Sequence, residues 1–524
     1  GAGIALDAVT RGMKVALVDM QDFSAGTSSR STKLIHGGLR YLKQFDMKVV
    51  AEVGKERAIV YENGPHITSP EWMLLPIFEE GTFGMFSTSA GLRLYDFLAN
   101  VKKIERKTML SREEVLQKEP LLKKQGLKGG GYYVEYRTDD ARLTIEVLKK
   151  AVEFGVHAIN YAKVTSFIYT AGKVSGAVVI DILSNQTYAI SARKVVNAAG
   201  PWIDEVRKRD DDTGLTKTLR LTKGVHLVFD VSCFPLQQSI YFDTEDGRMI
   251  FAIPRDGKTY VGTTDTFYEG NTINPPIEAK DIDYLLKNIN QMFPSLLITE
   301  KDIECCWAGV RPLISEEGKD PSEISRKDEI WTSPTGLFTI AGGKLTGYRK
   351  MAERVVDILA KQFVQEQYKR LDKCCTKKLT ISGGDVNGSK HLESFISEKV
   401  GQGIRAGIKK EEAERLCRLY GSNIDIVYAL IDEEKEALTT FQLTKEVLGK
   451  IAYAVRYEMI VSPVDFFLRR TGAMLFDFNW VLRWKKPVMD YMAVHLGWSE
   501  SDRKMYEVSL EEAIVYARAE RFTC

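Results

Sequence analysis

Several stretches of the sequence set glycine, hydroxyl and basic residues at spacings suited to a phosphorylated ligand. Gly1-Ala2-Gly3 opens a helix-compatible segment, and Asp19 closes the apolar run Val15-Ala16-Leu17-Val18 that follows. In a dinucleotide-binding fold a carboxylate at that spacing accepts hydrogen bonds from a ribose hydroxyl. The strand and first glycines of a full G-x-G-x-x-G fingerprint would come before Gly1, so the chain is expected to open inside one. Gly309-Val310-Arg311-Pro312-Leu313 presents a permanent cation. The planar fork of an arginine binds two phosphate oxygens at once. In Ala341-Gly342-Gly343-Lys344-Leu345-Thr346 two glycines and a lysine precede a helix. A helix N-terminus carries roughly half a positive charge and favours an anion. His226 is the first candidate for a general base, since an imidazole titrates at about 6.5 when unperturbed. Lys344 is the second, where neighbouring cations depress its pKa.

These residues need elements to position them. Residues 4–10 are helix-compatible, Arg11-Gly12 turns, and 15–19 reads as a strand buried on both faces. The polar stretch 24–40, with Arg30, Lys33, His36 and Arg40, reads as a ligand loop behind that strand. A helix is predicted over 140–154. Strands are predicted around 162–169 and 176–182, forming a meander, and at 194–198, ending in Ala198-Ala199-Gly200-Pro201-Trp202. Residues 220–265 alternate with period two, as in His226-Leu227-Val228-Phe229. A further buried strand covers 337–341 and a helix 348–362. Residues 365–387 read as a linker, and helical periodicity dominates from 388 onward.

A chain of 524 residues predicts two or three domains. A net charge of +2 excludes a strongly basic nucleic-acid binder. The 7 cysteines lack C-x-x-C spacing, so neither a disulfide framework nor a metal site is expected, and the compartment reads as reducing. No apolar run approaches the ~20 residues that span a bilayer, and no signal-peptide pattern is present.

The run Thr27-Ser28-Ser29-Arg30-Ser31-Thr32-Lys33-Leu34-Ile35-His36-Gly37-Gly38-Leu39-Arg40-Tyr41 resembles the flavin-binding loop of FAD-dependent glycerol-3-phosphate dehydrogenases, within the D-amino-acid-oxidase-like superfamily. Asn197-Ala198-Ala199-Gly200-Pro201-Trp202, Gly262-Thr263-Thr264-Asp265 and the Arg311 and Lys344 stretches are similar to further motifs of that family. Phe467-Leu468-Arg469-Arg470-Thr471-Gly472 resembles part of its C-terminal helical domain.

The resemblance covers almost the whole chain and implies an α/β fold in three parts. A Rossmann-like FAD-binding domain would take residues 1–46, 140–215 and 305–365. A substrate cap on an antiparallel sheet would take 47–139 and 216–304, and an all-helical domain 388–524. It implies non-covalent FAD, contacted by Gly1, Gly3, Asp19, Thr27, Ser28, Ser29, Lys33, Leu34, His36, Gly37, Gly38, Leu39, Ala198, Ala199, Gly200, Trp202, Gly342, Gly343, Lys344, Leu345 and Thr346. Small hydroxyl residues fit around a pyrophosphate, and Gly37 and Gly38 let the backbone approach the ring. His36 is expected to touch the flavin without a covalent bond.

The substrate phosphate would be held by Arg40, Arg311, Arg326 and Lys344, with Tyr41 and His226 lining the pocket. The implied reaction is oxidation of sn-glycerol 3-phosphate to dihydroxyacetone phosphate, with hydride leaving C2 for flavin N5 and His226, Lys344 and Arg311 as the catalytic set. Electrons would pass to a quinone; the alternative is an oxidase using oxygen, which the motifs do not separate. A non-catalytic flavin sensor is disfavoured by the presence of Arg40, Arg311 and Lys344. The stretch 83–103, with Phe86, Leu92, Leu94, Phe97 and Leu98 beside Arg93, Lys102 and Lys103, suits a membrane surface or an ordinary packed helix. The expected location is the cytoplasm, with peripheral attachment to the inner face of the plasma membrane, and a homodimer is the expected assembly.

Overall fold

The computed structural model describes residues 1–36, 47–79, 81, 84–98, 105–210, 217–315 and 327–518. Gly37, Gly38, Leu39, Arg40, Tyr41, Arg326, Lys102 and Lys103 lie outside the described residues.

A ten-stranded mixed sheet holds the centre. Leu219–Asp230 runs antiparallel to Ile303–Ile314 on one edge and to Lys258–Gly262 on the other. Met249–Arg255 and Ser239–Asp243 continue the antiparallel order. A parallel step then leads to Ser69–Phe78, which pairs with Leu127–Arg137.

The period-two pattern sorts this sheet into two faces. Val225, Leu227 and Phe229 share a core with Ile282, Leu285 and Ile289 of the helix Ala279–Met292. Gly224, His226 and Val228 therefore face the other way. Residues directly opposed in register share a face. Gly262 and Trp307 lie opposite His226, Gly309 opposite Gly224, and Arg311 opposite Thr222. One side of the sheet is thus covered by a helix, and the other gathers His226, Trp307 and Arg311.

The sequence-predicted α/β part forms on two short parallel pairs, Ala16–Val18 with His157–Ile159 and Val196–Asn197 with Phe338–Gly342. Ala16 is exposed, contrary to a strand buried on both faces, since Ala16–Val18 has a single strand neighbour among the described residues. The predicted meander gains a third strand, Thr187–Ser191. The expected strand over 194–198 shrinks to two residues, because Asn197 turns its side chain back to accept the Ala199 N–H at 3.2 Å. Helix Ala2–Thr10 packs on Tyr348–Gln365 through Gly3, where an added Cβ would lie 2.8 Å from the Tyr348 ring.

Beyond residue 388 the described chain is helical, from Leu392–Arg405 to Glu500–Ala517. Its core is continuous with the central sheet through Phe476, which meets Tyr260 and Trp307 edge-on. The connection over 365–387 has no long element, yet it is strapped down. The Ile381 N–H donates to the Asn63 carbonyl at 2.9 Å and the Ser382 N–H to that of Glu146 at 3.3 Å.

Candidate active site

Four stretches far apart in sequence meet around the loop 20–36. Thr27 begins a short 3-10 turn, and its hydroxyl donates to the Val310 carbonyl at 2.7 Å. Gly26 lies under Trp202, where a Cβ would come within 2.9 Å of the indole. Gly309 faces the Arg30 carbonyl, which a Cβ would reach at 2.6 Å. The Thr346 hydroxyl donates to the His36 carbonyl at 3.3 Å. Glycines at these crossings let backbones touch.

Asp140, at the start of helix Asp140–Glu153, anchors the same loop. It accepts the Ser31 N–H and hydroxyl at 3.0 and 2.7 Å and the Lys33 ammonium at 2.6 Å. Lys33 also donates to the Ser29 carbonyl, so its charge is engaged inside the protein. Leu34 pairs in the sheet with Arg137 and is buried, while the His36 ring meets Phe251 edge-on.

Arg311 is aimed by the Gly-Thr-Thr-Asp stretch. Its guanidinium donates to Asp265 at 3.1 Å, to the Thr264 carbonyl at 3.3 Å and to the Thr263 hydroxyl at 2.9 Å. Gly224 leaves the space, since a Cβ there would lie 2.7 Å from the guanidinium carbon. His226 is buried two residues further along. Its Nε2 meets the Thr32 hydroxyl at 2.9 Å, and its ring stacks on Trp307 at 4.6 Å between centroids. Its Nδ1 is buried with no hydrogen-bond partner among the described residues. Burial first, then Arg311 and Lys33, hold its pKa well below 6.5. The ring is therefore neutral at neutral pH and a weak base. Tyr260 and Trp307 fix Thr32 and Ser31 from the sheet, donating to their carbonyls at 3.1 and 3.3 Å.

Gly342 and Gly343 have φ of +68° and +80°, a region that side chains enter only with strain. The Gly343 N–H donates to the Lys327 carbonyl at 3.2 Å. Lys344 and Leu345 lead into the helix Tyr348–Gln365, whose Arg349 grips Glu56 with two bonds of 2.6 and 2.8 Å.

The residues present fit FAD. Asp19 sits at the end of its strand next to Gly1 at the head of helix Ala2–Thr10, where a ribose diol would meet a carboxylate. Burial pushes the Asp19 carboxyl up to about 6 against the hydrogen bond from the Gln21 N–H, and Asp22 adds to the rise. Ser24 keeps a buried hydroxyl without a partner among the described residues. Gly200, φ +57°, follows Ala198 and Ala199 and has open space where its Cβ would point. Ser28 belongs to the Thr27–Ser29 turn.

Sequence reasoning missed Asp140, Trp307, Tyr260 and Asp22. Asp140 was legible only as a helix start and Tyr260 only as a strand residue, while Trp307 lay outside the predicted strands. Their roles arise from pairing across more than a hundred positions.

The fold and the converging motifs define a flavin-dependent oxidoreductase. Residues 1–348 match the model of the FAD dependent oxidoreductase family, and residues 374–503 that of the C-terminal domain of alpha-glycerophosphate oxidase. The aerobic glycerol-3-phosphate dehydrogenase of Bacillus subtilis (strain 168) is 58% identical over 514 residues, 98% of this chain and 92% of that protein. Its counterpart in Staphylococcus aureus (strain USA300) is 58% identical over 520 residues, 99% of this chain and 93% of that one. The crystal structure of glycerol-3-phosphate dehydrogenase from Bacillus halodurans complexed with FAD matches with a TM-score of 0.85 at 47% identity, covering 99% of this chain and 92% of that one. The chain belongs to the FAD-dependent oxidoreductases and, within them, to the aerobic glycerol-3-phosphate dehydrogenases.

Proposed function

We propose that the protein oxidises sn-glycerol 3-phosphate at C2 to dihydroxyacetone phosphate, the hydride leaving toward flavin N5 and the electrons then passing to a quinone. FAD supplies the two-electron acceptor when bound. The observation that carries the reading is Arg311, held in a fork of Asp265, Thr264 and Thr263 beside the neutral His226. A guanidinium fixed before substrate arrives binds a phosphate without losing rotamer freedom at that moment. Lys344 shares this task, as do Arg40 and Arg326 by their motif positions, with Tyr41 lining the pocket.

His226 is the proposed proton acceptor, with Lys344 second. If its Nε2 carries the proton toward Thr32, the Nδ1 lone pair is the accepting atom. The depressed pKa keeps that lone pair unprotonated at neutral pH, though it also weakens the base. Gly200, with open space at its Cβ position, and Asp19, Thr27, Ser28 and Ser29 beside the glycine crossings at Gly26 and Gly309 form the proposed non-covalent cradle for FAD.

Quinone reduction places the enzyme at the inner face of the plasma membrane. Helix Met85–Leu98 supports a peripheral contact, since Phe86 is 88% and Leu94 38% exposed beside Arg93. Among the described residues no helix is long and apolar enough to cross a membrane. Oxygen is the weaker acceptor reading, since the full-length relatives are named dehydrogenases.

An anaerobic titration of the holoenzyme with glycerol 3-phosphate tests the reaction. Bleaching of the flavin absorbance is expected, with recovery on adding a soluble quinone and little peroxide in air. Intact FAD that stays yellow would sink the proposal, and stoichiometric peroxide would move it to the oxidase.

A further inference from the structure

The loop that carries Asp19 is gripped from the far end of the chain. Asp22, fully buried, accepts from Arg470 twice at 2.8 Å and from the Arg469 Nε at 2.5 Å. Asn160 adds a third donor at 3.2 Å and itself reaches the Met459 carbonyl. Burial opposes a charge on Asp22, but Arg470 and Arg469 hold its carboxyl down to about 2. Both arginines lie in the π-helical turn Asp465–Arg470 of the C-terminal helical part.

The grip extends to the helix Asp140–Glu153. Arg470 also donates to the Glu458 carbonyl at 2.7 Å, and the Glu458 carboxylate takes Arg142 at 2.8 and 2.9 Å. Arg142 belongs to helix Asp140–Glu153, whose Asp140 anchors Ser31 and Lys33. From the other side, Asp465 holds Arg469 and accepts the Tyr161 hydroxyl at 2.7 Å. The Tyr161 N–H in turn donates to the Gln21 carbonyl at 3.1 Å. One buried charge network therefore ties the helical part to the Asp19 loop and to the helix behind the Ser31–Lys33 loop. Exposed loops need no such investment of buried charge, which is costly unless every partner is present.

We propose that Arg469 and Arg470 are positioning residues for the cofactor: acting through Asp22, they hold the Asp19 loop in the conformation that receives the flavin's adenosine ribose. The helical part is then a component of the cofactor site. This rests on the reading that Asp19 meets that ribose.

The test is a double-mutant cycle between Arg469→Gln and Asp19→Asn, read as the Kd of FAD rebinding to apoprotein by quenching of flavin fluorescence. Losing one charge-assisted bond corresponds to roughly a tenfold to hundredfold change. Arg469→Gln should raise the Kd by about that factor, with the KM for glycerol 3-phosphate at saturating FAD unchanged and partial recovery in Arg469→Lys. In the Asp19→Asn background the same substitution should change the Kd far less, because the two act on one contact. An equal rise in both backgrounds, or a lower melting temperature with an unchanged Kd, would overturn the proposal. Asp19→Asn alone leaving FAD affinity intact would instead overturn the ribose reading. If Arg469→Gln does not fold, Asp22→Asn, which keeps size and shape, replaces it in the cycle with the same outcomes.

Discussion

Arg311 and His226 illustrate how fixed neighbours set the chemistry of single residues. Three acceptors hold the guanidinium of Arg311, while burial and two nearby cations keep the His226 ring neutral. Replacing Arg311 with Ala removes a charge-assisted phosphate contact worth a few kcal/mol, so KM for glycerol 3-phosphate should rise on the order of a hundredfold. FAD content should stay at the wild-type level, because Thr263, Thr264 and Asp265, the hydrogen-bond partners of Arg311 among the described residues, lie outside the Asp19 loop. Steady-state kinetics beside the flavin absorbance of the purified variant check both halves. A normal KM would take the phosphate away from Arg311. The residue types and their motifs were legible in sequence. The fork of Asp265, Thr264 and Thr263 was visible only as a neighbouring motif, since nothing linear links positions 263–265 to 311.

At the scale of elements, strand pairing decides which residues share the site. The register sets Gly224 opposite Gly309 and Thr222 opposite Arg311, so a missing side chain at 224 becomes room for a guanidinium. Gly224→Ala should leave the strand intact and push the end of a flexible side chain aside. KM should then rise by about tenfold, a smaller effect than deleting the arginine, with the melting temperature within a few degrees of wild type. A KM equal to wild type would mean that Arg311 binds phosphate from some other position. Helices and alternating strands were readable because burial imposes periods of 3.6 and 2. The strand at 15–19 was read as doubly buried from its composition, but burial depends on neighbours, and among the described residues it has one.

For the whole molecule, the helical part and the α/β part are joined by buried polar groups that respond to pH. His66 lies between Gly383 and Gly421 with neither ring nitrogen hydrogen-bonded among the described residues. Burial first, then Arg142 and Lys149, hold its pKa down to about 3. The unfolded chain protonates this ring at about 6.5, so its contribution to stability is intact above that pH and is lost as pH falls toward 3. His226 acts in the same direction, and Asp19, raised to about 6, in the opposite one. Denaturant unfolding at pH 7.5 and 5.0 should show His66→Leu losing less stability on acidification than wild type, by up to about 2 kcal/mol. Parallel losses in the two proteins would show that His66 is not held neutral.

The sequence by itself determined the α/β architecture with its helical C-terminal part and the glycine, hydroxyl and arginine motifs, because each depends on local residue types and short periods, while the cofactor class followed from the family resemblance that those motifs carry. Tertiary structure alone decided that Lys33 answers to Asp140, that His226 is shielded from protonation, and that Asp22 closes on Arg469 and Arg470 from 447 and 448 positions away. Those outcomes depend on distance in space and on exclusion of water, and a linear order of residues encodes neither until the chain has folded.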